Sequence, residues 1–415
     1  MNSTTVRKGA SASAYARLAL GAATLPLALG MLAFANPAMA AEECGLAPLG
    51  GGTVTCIAAG NPFPNGISYN ALADDVTVSL ENDVAISTTA DDTSGIALTA
   101  TGSNAITLAG GTASVSTTGA NATAIDVSSL AGPVSVTVGD VSTSGSLAGG
   151  VRAIGGLDSD VTVTTGNVTT TGLDGSSFFF LPSSTAITAT AAGTGNVTVD
   201  AGTISTAGLG ARGINASASA GDVTVTTGAV TTTGDNAIAI AANSDTGNVD
   251  VTATGAIDTS GSTAHGVYAT AYNGAAAVDV TNVTTTGYNA NGVYAVSGAG
   301  GTTVNFDDIS VAGTLTSGID AESMGGDVTI TGGSVTATGQ ASTAVYGYSD
   351  TGMVDIATTG TVAATGRGGS GIYAASTSGD VMVSANNVTT VAADAADTET
   401  TRSAIYAQGA NASVT

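Results

Sequence analysis

Gly221-Asp222-Val223-Thr224-Val225-Thr226-Thr227-Gly228 reads as one short β-strand held between two turns. Val223 and Val225 alternate with Thr224 and Thr226, the period of two that sends successive side chains to opposite faces. The flanking Gly and Asp are turn residues. Relatives of this octapeptide begin at Gly195-Asn196-Val197, Gly247-Asn248-Val249, Gly326-Asp327-Val328 and Gly379-Asp380-Val381. A second element, Val-Thr-Thr-Thr-Gly, starts at Val168, Val230 and Val283. A third is an aliphatic residue, any residue, then usually Ala. It starts at Ile125, Val151, Ile187, Ile214, Ile240, Val267, Val293, Ile319, Val345, Ile372 and Ile405.

Copies of the third element are mostly 26 or 27 residues apart. Three β-patterned runs in ~26 residues make one turn of a parallel β-helix, and only stacked turns bury a continuous core. The expected fold is therefore all-β: a parallel β-helix (β-solenoid) of three-strand turns. Its corners are expected to use glycine for positive φ and Asn/Asp for local side-chain turns. Roughly 12 turns at ~4.8 Å per rung give a rod about 60 Å long. Two steps are longer, 36 residues from Val151 to Ile187 and 33 from Ile372 to Ile405, and mark insertions near 176–182 and 394–401. The first insertion carries Phe178-Phe179-Phe180, expected to fold back on the solenoid. Leucine-rich, ankyrin and tetratricopeptide patterns are absent, and glycine lacks the three-residue period of collagen. Thr, Val, Ser and Gly are weak helix formers.

Only 9% of residues are charged, against about 25% in an average globular protein. The 43% hydrophobic content argues against disorder and for layers of small and β-branched side chains. Lys and Arg number 7 against 31 Asp and Glu, a net charge of −24. Beyond residue 17 the bases are Arg152, Arg212, Arg367 and Arg402. Binding a nucleic-acid backbone needs clustered Lys and Arg, so no nucleic-acid partner is expected.

Residues 1–40 have the plan of a secretory signal peptide: Arg7, Lys8 and Arg17, an apolar run over 18–35, then Ala38-Met39-Ala40. Pro26 and the small-x-small pattern favour cleavage over a membrane anchor. No later segment is long and apolar enough to span a bilayer as a helix. Cys44 and Cys56 are the only cysteines. In an oxidising compartment they read as one disulfide closing a short loop. A metal site needs more ligands than two thiols, and a lipid-modified cysteine would directly follow the cleavage point. The chain divides into a signal peptide (1–40), an N-terminal cap with the Cys44–Cys56 loop (41–90) and solenoid repeats (91–415). Solenoid ends need caps, and the repeats run to Thr415, so they are expected to continue past it.

At this point the chain resembles the passenger region of Gram-negative autotransporters (type V secretion). The likeness rests on the signal peptide, the Gly/Thr/Val solenoid and the segment Cys44…Val54-Thr55-Cys56-Ile57-Ala58-Ala59-Gly60-Asn61-Pro62, running on to Gly66-Ile67-Ser68-Tyr69. The resemblance implies export through the periplasm to the outer membrane, cell surface or medium. It also implies a partner β-barrel translocator in the outer membrane. Two-partner secreted filamentous adhesins, which use a separate transporter, look similar over this stretch. On this reading the chain is an adhesin or structural stalk.

The rival is a β-helical polysaccharide-degrading enzyme, whose site would gather acids with Arg, Lys or His. The single histidine, His265, sits beside Gly266 and reads as a solvated turn residue. Arg152 and Arg212 have no neighbouring Lys, and Asp307-Asp308 read as a corner feature because adjacent strand residues face opposite ways. Asp222, Asp327 and Asp380 read as caps of their own turns. No catalytic residue, metal or cofactor is assigned. The candidate contact residues come from the position after the aliphatic in the third element. It runs Asp126, Arg152, Thr188, Asn215, Ala241, Tyr268, Tyr294, Asp320, Tyr346, Tyr373 and Tyr406. Charged residues recur there, and buried unpaired charge is costly, so the position should face solvent. Tyr268, Tyr294, Tyr346, Tyr373 and Tyr406 should then line one outer face, either stacking to support the sheet or presenting a surface for glycans or for another rod.

The signal-peptide reading has a direct test. N-terminal sequencing of exported protein should begin at Ala41, and mature protein that retains Arg17 would refute it.

Overall fold

The computed structural model describes residues 44–46, 50–172, 184–391 and 403–415. The signal segment 1–40, the Phe178-Phe179-Phe180 cluster and both insertions lie outside the described residues. Within them the chain is a right-through stack of parallel β-coils with three faces. One coil runs Ile214–Ala218 on the first face, Val223–Thr227 on the second and Val230–Thr232 on the third. The next repeats it in register: Ile214 pairs with Ile240, Val223 with Val249 and Val230 with Ile257. The first faces form a sheet of 13 parallel strands, and the other two faces merge into one of 21. They merge because second- and third-face strands become continuous from Ala276–Thr285 onward. Thirteen rungs at ~4.8 Å make a stack about 60 Å long.

Stacking begins inside the segment expected as a cap. Gly52–Cys56 pairs with Val76–Leu80, and Ile67–Leu72 pairs with Ile96–Ala100. Ile67 and Ile96 head the first-face column ahead of Ile125, with Tyr69 and Leu98 rather than Ala two residues on. Cys44 and Cys56 form a disulfide at this end, with Cys56 fully buried in the core.

The core consists of columns. Val223, Val225 and Val230 point inward with Ile214 and Ala216, and all five are fully buried. The alanine column faces the second-face aliphatics. At Gly347, which replaces Ala in that column, an added Cβ would meet Ile356 and Val354 side-chain atoms at 3.2 Å. The flattened interior at this rung is thus tight even for a methyl, which would fit only if those side chains gave by a few tenths of an ångström.

Polar residues inside the stack are satisfied by the neighbouring turn. In Val-Thr-Thr-Thr-Gly the third residue points in: Thr232 is fully buried, and its Oγ1 donates to the Ala237 carbonyl at 2.7 Å. Thr117, Thr143, Thr206, Thr259 and Thr285 repeat this bond to the carbonyl five residues on. At the end of the first face a buried serine joins two rungs. Ser323 Oγ donates to the Gly300 carbonyl at 2.8 Å and accepts the Gly326 N–H at 2.9 Å.

Two corner expectations are corrected. Repeated Asp and Asn do not cap their own turns; each reaches the next rung. Asn196 Oδ1 accepts the Asp222 N–H at 2.9 Å, and Asp222 Oδ1 accepts the Asn248 N–H at 2.7 Å. Asp327 and Asp380 do the same for Met353 and Asn411. The cause is register: the equivalent backbone donor lies one strand spacing away. The corner glycines after the threonines are not in the left-handed region either. Gly234, Gly261, Gly287, Gly313 and Gly339 stack so closely that a Cβ on any of them would collide with the carbonyl oxygen of the glycine one rung below. Positive φ falls two residues later, at Asn236, Thr263, Asn289, Leu315 and Ala341, and on two rungs glycine does take it as expected, at Gly210 and Gly368. Thr263, at φ 52°, is a β-branched residue in a region that suits Asn or Gly.

Opposite stability effects should follow. Gly287→Ala should destabilise the protein by several kcal/mol, because backbone rather than a movable side chain blocks the new methyl. Thr263→Asn should stabilise it by about 0.5–1 kcal/mol by relieving the backbone conformation. Denaturant unfolding of both variants checks this, and a neutral Gly287→Ala would sink the close-approach account.

Candidate functional site

The candidate residues converge on the outer side of the first face. In Val267–Ala271 the first, third and fifth residues are buried, and Tyr268 stands outward between them. Pairing fixes the column rung by rung: Tyr268 on Tyr294, Tyr294 on Asp320, Asp320 on Tyr346, Tyr346 on Tyr373, Tyr373 on Tyr406. The side chains stack accordingly. Ring centroids are 4.9 Å apart for Tyr268–Tyr294, 4.9 Å for Tyr346–Tyr373 and 4.8 Å for Tyr373–Tyr406, with planes 18°, 8° and 11° apart. Such pairs contribute about 0.5–1.5 kcal/mol each beyond area burial. Flanked above and below, Tyr268, Tyr294, Tyr346 and Tyr373 are half-buried, and Tyr406 is exposed. Burial raises the phenol pKa of Tyr268, Tyr294, Tyr346 and Tyr373, so these rings are neutral.

Toward the N-terminal end the same column holds Asp126 and Arg152, an ion pair of 2.7 Å that is partly exposed and adds little stability. Arg212 is set to one side of the column. Its Nη1 donates to Asn215 Oδ1 at 2.8 Å, and burial lowers the guanidinium pKa. His265 occupies the same flank two rungs on and is not a solvated turn residue. Its ring centroid lies 5.9 Å from that of Tyr268 and 6.3 Å from that of Tyr294, and Nδ1 accepts the Asn291 N–H at 3.0 Å. Burial pushes its pKa down to about 4, so the imidazole is neutral at physiological pH. Asp307 and Asp308 are both exposed, at the bend of Thr302–Val311, and Asp308 Oδ1 accepts the Ser334 N–H at 3.3 Å.

The face holds more than the sequence reading assigned to it. One position further along each strand are Tyr272, 60% exposed, and Met324, 61% exposed. They flank Gly298, the equivalent residue of the intervening rung. Tyr348 adds a phenol beside the column, donating to Asp350 Oδ1 and lying 3.1 Å from Thr377 Oγ1. Counting columns five and three residues beyond the leading aliphatic would have found them.

Asp320 is the largest departure. The column does face outward, yet one carboxylate in it is buried. Asp320 Oδ1 is out of solvent contact and has no hydrogen-bond partner, while Oδ2 has a long 3.5 Å bond from Asn291 Nδ2. The rings of the adjacent rungs surround a side chain too short to reach past them. Burial, and then the Glu322 carboxylate, push its pKa up to about 7.

No family model, curated protein or solved structure matches the chain.

The folded protein holds the Asp320 proton more tightly than the unfolded chain, so this group's contribution to stability is full below about pH 4 and is lost as pH rises to about 7. Asp320→Asn should therefore gain stability over the parent across that range, reaching on the order of 2 kcal/mol at pH 8. Urea midpoints at pH 4, 6 and 8 measure it. A difference that does not grow with pH would contradict the burial of this carboxylate.

Proposed function

We propose that the chain is an exported, surface-displayed or secreted β-helical passenger that serves as an adhesin or structural stalk. The tyrosine face is its contact surface. The observation that carries the reading is the tyrosine column itself: aromatic rings concentrated on one outer face, stacked in register on both sides of the Asp320 rung, on a sheet whose inner side is a continuous core. A tyrosine offers an apolar face with a polar tip, a pairing suited to sugar rings or to another protein surface. An edge of Tyr272 and Met324 widens the apolar area beyond what sheet support requires.

The export route fits the same physics. A coil that needs only its neighbour can fold turn by turn as it leaves a pore. The disulfide spans a sequence separation of 12, a loop small enough not to tether distant parts of the chain. An outer-membrane β-barrel is the proposed translocator, whether joined to this chain or separate. The alternative of a polysaccharide-degrading enzyme would draw its acids and bases into one groove. Here Asp307 and Asp308 stand at a bend between the second and third faces, whereas His265 lies beside the first.

The combined replacement of Tyr268, Tyr294, Tyr346 and Tyr373 by Thr tests the reading. Bacteria displaying the variant should attach to glycan-coated surfaces, or to each other, at least about tenfold less well. The β-sheet circular dichroism should persist, with a stability loss of about 1.5–4.5 kcal/mol from the three broken stacks. Undiminished attachment by the folded variant would reduce the column to a support for the sheet.

A further inference from the structure

The ladder of rings skips one rung. Below the gap, Tyr294 stacks on Tyr268; above it, Tyr346 stacks on Tyr373. The rung between carries Asp320. Two strand spacings separate Tyr294 from Tyr346, about 9.6 Å. A flat group inserted midway would stand about 4.8 Å from either ring, the spacing of the existing stacks at 4.8–4.9 Å. The gap is therefore one planar group thick.

Its floor is anionic. Asp320 Oδ1 is buried without a donor, and Glu322 leaves the same strand on the same side two residues on. Tyr294 and Tyr346 are kept neutral by burial and do not offset these charges. We propose that this rung is a binding site for a guanidinium, an arginine side chain of a partner protein, inserted between Tyr294 and Tyr346 and paired with Asp320 and Glu322.

The chemistry selects that group over others. Guanidinium is planar, stacks on aromatic faces and carries five N–H donors in a fork that suits carboxylates. An ammonium is compact and does not fill a flat slot. A neutral aromatic ring would fill it but leave the buried carboxylate oxygen without a donor. Among the described residues no group of three or more His, Cys, Asp or Glu is placed to hold a metal ion. Two of this chain's own arginines are poorly placed to be donated by a second copy: Arg152 is paired with Asp126, and Arg212 is half-buried against Asn215. The net charge of −24 also opposes self-association and draws basic partners.

The inference rests on the first face being a contact surface, and its test is separate from attachment. Protein labelled with ¹³C at the tyrosine ε positions is titrated with N-acetyl-arginine methylamide at constant ionic strength, with N-acetyl-lysine methylamide in parallel. Saturable shifts are expected at Tyr294 and Tyr346 and not at the distant Tyr69. Asp320→Asn, which is nearly isosteric, should weaken binding at least about tenfold, Tyr346→Thr should abolish it, and Tyr346→Phe should retain it. Binding requires the ionised carboxylate, and the titratable groups around Asp320 are Glu322 on its own strand, Tyr294 below and Tyr346 above. Lowering the pH from 8 to 6 should therefore weaken binding by roughly tenfold. The proposal is overturned by the absence of saturable shifts, by unchanged affinity in Asp320→Asn, or by equal affinity for the lysine compound. Intact arginine binding in protein whose tyrosine variant attaches normally would instead sink the contact-surface reading alone. Loss of arginine binding with tyrosine-dependent attachment intact would sink only this one.

Discussion

Hydrogen bonding between successive coils is the constraint from which the rest of the molecule follows. Each first-face strand bonds to the equivalent strand of the next coil in parallel, with the same residue position on both sides. At that spacing every side chain lies directly over its counterpart. A residue type that packs well on itself is therefore used again on the next rung, and one that does not is excluded. Aliphatics form the core columns, glycines meet glycines at the corner, and Asn or Asp side chains reach the backbone of the rung above. The tyrosine ladder is the same rule on the outside. Its stacking distances repeat the rung spacing because the backbone imposes them.

The period of 26 or 27 was enough to read the architecture, because strand alternation and repeat length are both visible along the chain. Residues such as Val223 and Tyr268 could be assigned to inside and outside from alternation alone. Corners were harder. The letters Gly and Asp there admit a local explanation and a cross-rung one, and only three-dimensional register decides between them. Gly287 is needed for closeness to Gly261, and Asp222 for the N–H of Asn248; both partners lie one coil away in sequence. The positive φ at Thr263 is marked by Gly or Asn on many other rungs, as at Gly210, Asn236, Asn289 and Gly368, but Thr, Leu and Ala at the same position blur the signal.

The outer face was legible as a column but not as an electrostatic environment. His265 reads as a polar turn residue until the rings of Tyr268 and Tyr294 are seen against it. Asp320 reads as one solvated charge among several in its column. What changes it is the identity of its neighbours: between two large rings a short carboxylate is buried, whereas Asp126, beside Arg152, is not. Burial on a ladder thus depends on the rungs above and below as much as on the position itself.

The two long steps of the repeat show how tolerant the stack is of extra chain. Residues 173–183 and 392–402 both fall between a third-face strand and the following first-face strand. Register carries across each: Val151 pairs with Ile187, and Ile372 with Ile405. Extra sequence therefore leaves and rejoins at one corner without displacing a rung. Whole coils, by contrast, can be gained or lost only as units, since a fraction of a coil would put every column out of phase. Evolution can then adjust this molecule in two separate ways. Its reach changes in discrete steps of one rung, whereas its decoration changes continuously through insertions, the two longest of which fall at the same corner.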